Sequence, residues 1–190
     1  MNNTSLTLVC PGFNEGRKIN SLFSRIKKLK RQCKFNIEII YVDDASTDDT
    51  ILKLTKLKRK YKFQLIKNKK NLGFGGSFLN GMKKAKGTHV MLFPAEDVYT
   101  TKSLKNFINK GIKTNALMSI YSNPHYRHKI RRMITFLISV FCNLMFNIRV
   151  RQFTGPFLYK TKHLRKMNIH SKKFAFQIEI LIKLVKAGDV

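Results

Sequence analysis

Acidic residues are scarce in this chain of 190 residues, because ten Asp and Glu stand against 38 Lys and Arg, for a formal net charge of +28. Between residues 98 and 178 the sequence has sixteen Lys and Arg and no acid. Such an excess of positive charge implies an anionic partner: a nucleic acid, an anionic membrane surface or a phosphorylated substrate. A solvated, Lys-rich surface is the alternative for most individual lysines.

Cysteine is also rare, and the sequence shows no signal-peptide pattern. Cys10, Cys33 and Cys142 lack the spacing of metal ligands, and an odd count suits a reducing compartment. Cys10 ends an apolar run, so we expect a small core residue there rather than a nucleophile.

Apolar residues make up 43% of the chain. This fraction excludes a disordered protein and is typical, at this length, of one domain with a substantial core.

Short β-rich runs alternate with longer helical runs along the chain. The predicted strands are Leu6–Cys10, Ile37–Val42, Phe63–Ile66, His89–Phe93 and Ala116–Tyr121. The predicted helices are Glu15–Lys30, Asp48–Arg59, Phe74–Lys84, Thr101–Lys110, Lys129–Asn147 and Phe174–Ala187. This alternation predicts an α/β fold with a parallel sheet and helices on both faces.

Five of the ten acids lie at or just after the ends of predicted strands. Glu15 follows the first strand, Asp43 and Asp44 end the second, and Glu96 and Asp97 follow the fourth. Because ligands of such sheets bind beyond the carboxyl ends of the strands, we expect these side chains to form one site. Gathered carboxylates suit a divalent cation, or hydrogen bonding to a base and ribose. They would repel a phosphate backbone, so the sequence disfavours nucleic acid as the partner.

Residues 71–87, NLGFGGSFLNGMKKAKG, are rich in glycine and open a predicted helix. Glycine allows a backbone to approach a ligand closely, and a helix start favours an anion. The same small residues are equally consistent with close packing of the helix on the sheet. The stretch lacks the ending of a phosphate-binding P-loop, so it leaves both interpretations open.

Four stretches together resemble a known family. They are CPGFNE at 10–15, EIIYVDDASTDDT at 38–50, the glycine-rich stretch at 71–87 and FAFQIEIL at 174–181. In this order they resemble motifs of family 2 glycosyltransferases with the GT-A fold, and within that family the polyprenyl-phosphate sugar transferases such as dolichyl-phosphate mannose synthases. The resemblance implies an inverting hexosyltransferase, with residues 1–190 forming a single GT-A domain that lacks the C-terminal end of its relatives.

The resemblance also implies where the nucleotide-sugar donor binds. The implied donor-binding residues lie after the first two strands and in the glycine-rich turn: Pro11, Phe13, Glu15, Val42, Asp43, Asp44, Gly73 and Gly75. Pro11, Phe13 and Glu15 would frame the nucleotide, with Phe13 in place of the usual Tyr. Val42 and Asp44 would hold the nucleobase, and Asp43 would brace their loop.

Relatives end the fourth strand with D-x-D, whose second Asp binds Mg²⁺ or Mn²⁺ on the donor diphosphate. Here the aligned residues are Pro94, Ala95 and Glu96, and Asp97 follows. The resemblance therefore implies a shifted metal site, in which Ala95, Glu96 and Asp97 hold the diphosphate through Mg²⁺ or Mn²⁺. Two carboxylates are sufficient, since Mg²⁺ usually takes one or two from the protein and the rest from phosphate and water.

The predicted helix Lys129–Asn147 has an apolar core of 16 residues, Met133 to Ile148. As a helix this core is about 24 Å long, which is short for a membrane span. Polar residues recur on one face: Thr135, Ser139, Asn143 and Asn147. A buried core helix with a polar seam and a helix lying in the membrane interface both remain open, and a true span is the third alternative. By resemblance, Arg131 and Thr135 match an R-x-x-x-S pair that binds the lipid phosphate.

Arg151 stands where many relatives carry the Asp of D-x-x-S-G, a candidate general base. A hydroxyl acceptor would need such a base. A lipid phosphate, with a second pKa near 6, is already largely ionised near pH 7, and an arginine can hold it bidentately. The departure therefore favours a phosphate acceptor, and the predicted catalytic residues are Glu96, Asp97 and Arg151.

Together with the basic region, the resemblance implies transfer of a sugar from a nucleotide-sugar to polyprenyl phosphate by a peripheral protein at the cytoplasmic face of an anionic membrane. One alternative is transfer to the hydroxyl of a glycan or glycolipid. Another is a catalytically silent module that binds a nucleotide-sugar or a membrane. The sequence predicts neither the sugar, the nucleobase nor the oligomeric state.

Overall fold

The structure, a computed structural model, describes residues 5–96, 99–114, 118–119, 129–150, 153, 155, 157–173 and 175–188. At positions 118, 119, 129 and 131 it describes the backbone only. The strands are β1 Ser5–Gly12, β2 Asn36–Asp43, β3 Gln64–Lys67, β4 His89–Leu92, β5 Met118–Ser119 and β6 Phe157–Lys160. The helices are α1 Ile19–Gln32, α2 Thr50–Lys60, α3 Gly73–Lys84, α4 Thr101–Thr114, α5 Lys129–Phe146, α6 Thr161–Lys166 and α7 Ala175–Lys186.

The strands form one sheet in the order β3-β2-β1-β4-β6-β5. Strands β1 to β4 are parallel, whereas β6 is antiparallel to both β4 and β5. The chain builds outward from β1 through β2 and β3, and then returns to place β4 on the other side of β1. This reversal leaves a crevice at the carboxyl ends of β1 and β4, where such sheets bind ligands.

Alternating side chains of the strands build a core on each face of the sheet. In β1, Leu6, Leu8 and Cys10 pack on one face with α1, α2 and α4. Val9 points to the other face, which is covered by α3, α6 and α7. The period of two residues is what a strand buried on both sides requires. The predicted α/β fold, with a mostly parallel sheet and helices on both faces, is confirmed.

Cys10 lies in the core, as predicted. Its side chain is buried, and burial raises the pKa of the thiol to about 12, against a smaller opposing effect of the Arg25 charge. Such a thiol stays protonated near neutral pH and is not an activated nucleophile.

Two helices begin later than their sequence pattern indicates. Residues 15–18 form a turn, in which the N–H groups of Lys18 and Ile19 donate to the carbonyl of Glu15. Helix α2 begins at Thr50, whose N–H donates to Asp48 Oδ1 at 3.0 Å. Asp48 therefore bonds the first N–H of the helix from just outside it, whereas Asp49, the residue at the N-cap, makes no capping hydrogen bond with its side chain.

Strand β6 and helix α6 were not predicted. Strand β6 has four residues, and its strand conformation depends on antiparallel pairing with β4, where Val90 faces Tyr159. Local sequence carries little signal for so short an element. Of the predicted strand Ala116–Tyr121, only Met118–Ser119 falls within the described residues, and these two pair with β6.

Helix α5 packs on the sheet face of α3 and α7 through a narrow strip that includes the buried Ser139 and Cys142. Most of its large apolar side chains are exposed: Ile130, Met133, Ile134, Phe136, Leu137, Ile138, Val140, Phe141, Leu144, Met145 and Phe146. The interpretation as a buried core helix is therefore wrong. Over the described ranges, no helix combines the length and the apolar character needed to cross a membrane.

Candidate active site

A cavity of about 710 Å³ lies at the carboxyl ends of β1 and β4. It brings together residues that are far apart in the sequence but were predicted for one site: Pro11, Phe13, Glu15, Asp44, Gly73, Ala95, Glu96 and Thr135. Its walls come from the strand ends, the start of α3, the loop after β4, α5 and α7. The position matches the crevice that the strand order creates.

Asp44 is the most firmly held carboxylate of the cavity, and its residue is only 3% exposed. Its Oδ1 accepts hydrogen bonds of 2.8 Å from Asn68 Nδ2 and from the N–H of Leu72. Asn68 Nδ2 also donates to Ser77 Oγ at 2.8 Å, and Asn80 Nδ2 donates to Asn68 Oδ1 at 2.7 Å. The carboxylate is thereby held in one orientation before a ligand binds. Sequence reasoning missed Asn68, although this residue also follows a strand directly.

Asp43 and Val42 support this part of the site from behind. Asp43 is buried, and its Oδ2 accepts the N–H of Ser46 at 3.1 Å, which fits the predicted bracing role. Val42 is buried in the core beneath α3, where a Cβ on Gly81 would lie 2.8 Å from Val42 Cγ2. The Val42 side chain thus faces the helix, so any contact of Val42 with a nucleobase rests on its backbone.

Asn14 joins the loops that follow β1 and β2. Its N–H donates to Ser46 Oγ at 2.9 Å, and its Oδ1 accepts the N–H of Thr47 at 2.8 Å. Asn14 and Ala45 both have positive φ, of 53° and 64°. Such conformations are costly for residues other than glycine and gather at functional sites. Asn14 belongs to CPGFNE, one of the four stretches that resemble the family, but the sequence analysis assigned no role to this asparagine.

The glycines of residues 71–87 divide between the two interpretations that the sequence left open. Gly73 lines the cavity at the start of α3 with a φ of +75°. A Cβ on Gly75 would lie 2.7 Å from the carbonyl oxygen of Lys172 and from the Phe176 ring, and one on Gly81 would lie 2.5 Å from Val9. Gly73 therefore shapes the cavity, whereas Gly75 and Gly81 allow close packing of α3.

The loop after β4 carries Glu96 to the cavity. Arg25 of α1 holds this loop: Nη1 donates to the carbonyl of Glu96 at 2.8 Å, and Nη2 donates to those of Ala95 at 2.7 Å and Pro94 at 3.2 Å. The guanidinium also lies 5.4 Å from the centre of the Phe93 ring. Sequence reasoning missed Arg25, which precedes the loop by about 70 positions.

Metal binding by Glu96 and Asp97 stays a prediction, and Asp97 lies outside the described residues. Within the part of the chain that the structure covers, His, Cys, Asp and Glu form no cluster of three that could hold a metal ion. A carboxylate such as that of Glu96 nevertheless suits Mg²⁺ or Mn²⁺, which prefer oxygen ligands and can complete their coordination with phosphate and water. The residues fit a cation shared with a bound diphosphate rather than a cation caged by protein alone.

Helix α5 forms the opposite wall of the cavity through Ile134, Thr135 and Ile138. Position 131 lies one helical turn before Thr135, and therefore on the same face of the helix. The side chain of Arg131 and the whole of Arg151 lie outside the described residues. Of the three predicted acceptor residues, the structure therefore places Thr135 and the backbone of position 131.

Helix α7 contributes Ala175, Gln177 and Ile178 to the cavity, and its Glu179 forms an anchor outside the cavity. Gln177 lines the cavity, and its Nε2 donates to the carbonyl of Gly155 at 2.6 Å. Glu179 accepts the N–H groups of His170 and Ser171 and the Lys183 ammonium. Burial raises the pKa of Glu179, but these hydrogen bonds outweigh it and bring the pKa to about 2. Glu179 therefore ties the segment before α7 in place, in keeping with a structural role.

Two curated proteins resemble most of this chain at low identity. One is a dolichol-phosphate mannosyltransferase of Pyrococcus furiosus, 25% identical over 94% of this chain and 52% of the relative. The other is a dolichyl-phosphate beta-glucosyltransferase of Dictyostelium discoideum, 23% identical over 95% of this chain and 62% of the relative. The chain thus spans between half and two thirds of the length of these relatives.

Solved structures show the same fold. The glucosyl-3-phosphoglycerate synthase of Mycobacterium tuberculosis, in complex with Mn²⁺, UDP-glucose and phosphoglyceric acid, superposes with a TM-score of 0.74 at 14% identity, over 97% of this chain and 66% of that one. TarS of S. aureus superposes with a TM-score of 0.69 at 19% identity, over 94% of this chain and 55% of that one. Both neighbours are GT-A transferases, so the predicted GT-A fold is confirmed.

The family assignment rests on sequence as well as fold. The profile described as Glycosyl transferase family 2 matches residues 7–178, from β1 into α7. This range contains the cavity at the strand ends and the residues predicted to line it, and it confirms the resemblance seen in the sequence motifs. The chain therefore belongs to glycosyl transferase family 2.

Proposed function

We propose that this protein is an inverting hexosyltransferase that moves a sugar from a nucleotide-sugar to a polyprenyl phosphate while bound peripherally at the cytoplasmic face of a membrane. One observation carries the proposal. A single cavity extends from the carboxylates at the strand ends to α5, and α5 exposes apolar side chains on its outer side. A polar donor and an acceptor with a lipid chain can therefore meet in the same cavity.

The donor side is supported by the fixed polar groups of the first hundred residues. Asp44 presents a buried, oriented carboxylate, which suits the N–H groups of a nucleobase. Phe13 is 46% exposed at the cavity wall and offers an apolar surface next to Glu15. Solved GT-A neighbours support a nucleotide-sugar, because TarS was crystallised with UDP-GlcNAc and the mycobacterial synthase with UDP-glucose.

A divalent cation would be held by Glu96 with Asp97, at the loop after β4. When bound, Mg²⁺ or Mn²⁺ neutralises charge on the diphosphate leaving group. The Mn²⁺ in complexes of the mycobacterial synthase supports this choice of ion. The role of Glu96 itself is to supply a carboxylate to the cavity wall, next to Ala95 in the same loop.

On the acceptor side, Arg131, Thr135 and Arg151 would hold the phosphate of the lipid. A phosphate monoester is mostly a dianion near pH 7. Its oxygen can attack the sugar without a general base. The relatives named dolichol-phosphate mannosyltransferase and dolichyl-phosphate beta-glucosyltransferase support a phosphate acceptor. The protein then has to orient the phosphate and screen its charge, which arginines do well.

The membrane part of the proposal rests on the surface of α5. An interfacial helix buries its apolar face at the headgroup boundary and is flanked by basic residues. The exposed side chains of α5 fit this description, and Lys186 places its ammonium 5.3 Å from the ring of Phe146 at the end of the helix. The acid-free region 98–178 adds attraction to anionic lipid.

The proposal is tested by transfer of labelled sugar from UDP-, GDP- and dTDP-sugars to a short-chain polyprenyl phosphate in detergent, with and without Mn²⁺. We expect transfer from one donor class, and we expect Arg131→Gln and Arg151→Gln each to slow transfer while nucleotide binding is retained. Thr135→Val is expected to slow it less. Thr55→Val is the matched control, since Thr55 is exposed on α2, away from the cavity, and its Oγ1 donates to the Ile51 carbonyl of the same helix.

The other outcomes separate the alternatives. If both arginine variants transfer at the native rate, the acceptor site lies elsewhere. Transfer only to a glycan or glycolipid hydroxyl would establish the alternative acceptor class. If the protein binds a nucleotide-sugar but transfers to none of these acceptors, it is a silent binding module.

A further inference from the structure

Three successive backbone carbonyls converge on one side chain outside the cavity. The carbonyls of Pro94, Ala95 and Glu96 all accept hydrogen bonds from the two terminal nitrogens of Arg25, at 3.2, 2.7 and 2.8 Å. The guanidinium lies 5.4 Å from the centre of the Phe93 ring, within the range of a cation–π contact. Four consecutive residues of the chain thus contact one arginine.

The geometry matters because this loop is beyond the sheet. The N–H of Phe93 donates to the carbonyl of Val9 at 2.8 Å, next to the last paired residue of β4. Pro94 has no N–H with which to continue the ladder. Beyond the point where strand pairing ends, the carbonyls of residues 94–96 accept their hydrogen bonds from Arg25 instead of from a neighbouring strand. These bonds therefore fix the backbone conformation of residues 94–96.

Arg25 is itself carried on a rigid support. Its neighbours Leu22, Ile26 and Leu29 on α1 are buried in the core on one face of the sheet. Lysine could replace arginine only in part here, because an ammonium is a point charge whereas the planar guanidinium offers five N–H donors in a fixed fork. The guanidinium of Arg25, fixed in place by the buried residues of α1, therefore holds the loop on the side away from the cavity.

We infer that Arg25 is a positioning residue, which sets residues 94–96 so that the Glu96 carboxylate stands at the cavity, ready to bind the cation and diphosphate of the donor. Arg25 does this through backbone bonds. The inference rests on the proposed function for the identity of the ligand. It assigns to a residue of α1 a role in a site that is otherwise built from strand ends, α3, α5 and α7.

The test compares Arg25→Met and Arg25→Lys with Arg31→Met, a matched control at an exposed position on the same helix. Hydrogen–deuterium exchange first measures the order of the loop. We expect peptides covering 93–97 to exchange faster in Arg25→Met, to change less in Arg25→Lys, and to stay unchanged in Arg31→Met. Peptides from β1 and β2 are the internal reference for global stability.

Calorimetry with UDP and with GDP, each with and without Mn²⁺, then measures the consequence for the site. We expect Arg25→Met to weaken Mn²⁺-dependent nucleotide binding about 10- to 100-fold, the range for residues that support a metal ligand. Binding without Mn²⁺ should change much less, because Asp44 is held by Asn68 after β3 and by Leu72 before α3, whereas Arg25 holds the loop after β4. A role in folding alone would weaken both binding modes together.

Two results would overturn the inference. One is unchanged exchange of 93–97 in Arg25→Met. The other is faster exchange of that loop with Mn²⁺-dependent affinity equal to that of Arg31→Met. A failure of the proposed function looks different, since the unsubstituted protein would then bind neither nucleotide with or without Mn²⁺, and the role of Arg25 toward the donor would fall with it.

Discussion

The two walls of the cavity are built in opposite ways. On the wall formed by the strand ends, polar groups are fixed by neighbours: Asp44 by Asn68 and Leu72, and the loop after β4 by Arg25. On the other wall, α5 contacts the protein through a narrow strip and leaves most of its large apolar side chains exposed. The polar groups at the strand ends are thus held by hydrogen bonds from other residues of the chain, whereas α5 presents an apolar surface that water solvates poorly.

This difference fits a site with two unlike ligands. A small polar donor is bound well by groups that are oriented beforehand, because no ordering cost then remains for binding. A lipid chain offers no polar groups to orient, and an apolar surface is enough for it. The comparison therefore connects the proposed function to how each wall is stabilised, and the following experiments probe that contrast.

The largest expected contrast is in stability. Leu22 of α1 is 0% exposed, and Leu144 of α5 is 78% exposed. Leu22→Ala should lower the free energy of unfolding by about 2–5 kcal/mol, the usual cost of a cavity in a core. Leu144→Ala should change it by less than about 0.5 kcal/mol, as at most surface positions. Urea unfolding of both variants measures this, and similar losses would mean that α5 is covered in solution.

The next contrast is in donor binding. Asp44→Ala should cost about 1.5–3 kcal/mol of nucleotide affinity, because hydrogen bonds to a charged group are lost at a buried position. Asp49→Asn is the control, since Asp49 forms an ion pair with Lys53 at the surface, at 2.8 Å, and should leave affinity unchanged. Calorimetry with the preferred nucleotide compares them. Equal affinities of the two variants would remove Asp44 from the donor site.

The stability that Glu179 of α7 contributes to the fold should depend on pH. The pKa of Glu179 is lowered in the folded protein from 4.5 to about 2, because hydrogen bonds from Lys183, His170 and Ser171 outweigh the effect of burial. The folded state therefore binds the proton less readily than the unfolded chain. The resulting stability is fully present above about pH 4.5 and is lost as the pH falls toward 2.

Glu179→Gln tests this directly. The variant should be less stable than the unsubstituted protein at pH 7, and the difference should shrink between pH 4.5 and pH 2, as measured by thermal unfolding across this range. A gap of constant size at every pH would show that the contribution of Glu179 does not depend on its charge.

The smallest expected effect concerns single surface charges. Lys186 lies beside Phe146 at the end of α5, whereas Lys56 is exposed on α2, which covers the opposite face of the sheet. Lys186→Gln should weaken binding to vesicles with anionic lipid by about 1 kcal/mol, the usual value for a charge near such a surface. Lys56→Gln should weaken it less. Equal losses in a sedimentation assay would mean that α5 does not face the membrane.

Much of the wall formed by the strand ends could be predicted, because the sequence patterns that mark it are local. Strict burial of β1 and β2 gives apolar runs, and the acids that end these strands mark the edge of the sheet. The residues that hold those acids could not be predicted in the same way. Asn68 reaches Asp44 across 24 positions, and Arg25 reaches Ala95 across 70. Such contacts depend on where α1 and the end of β3 lie in the folded protein. The local pattern of apolar and polar residues does not predict those positions.

The sequence by itself determined the alternation of strands and helices, the burial of Cys10 and the collection of carboxylates at one edge, because side-chain periodicity and strand ends are local properties. The tertiary structure alone decided the state of α5 and the path of residues 94–96. A mostly apolar helix has the same pattern whether neighbours cover it or not, and a loop beyond the last ladder bond follows whichever distant side chain satisfies its carbonyls. Burial and long-range hydrogen bonding are properties of the packed molecule, so they appear only when its elements have assembled.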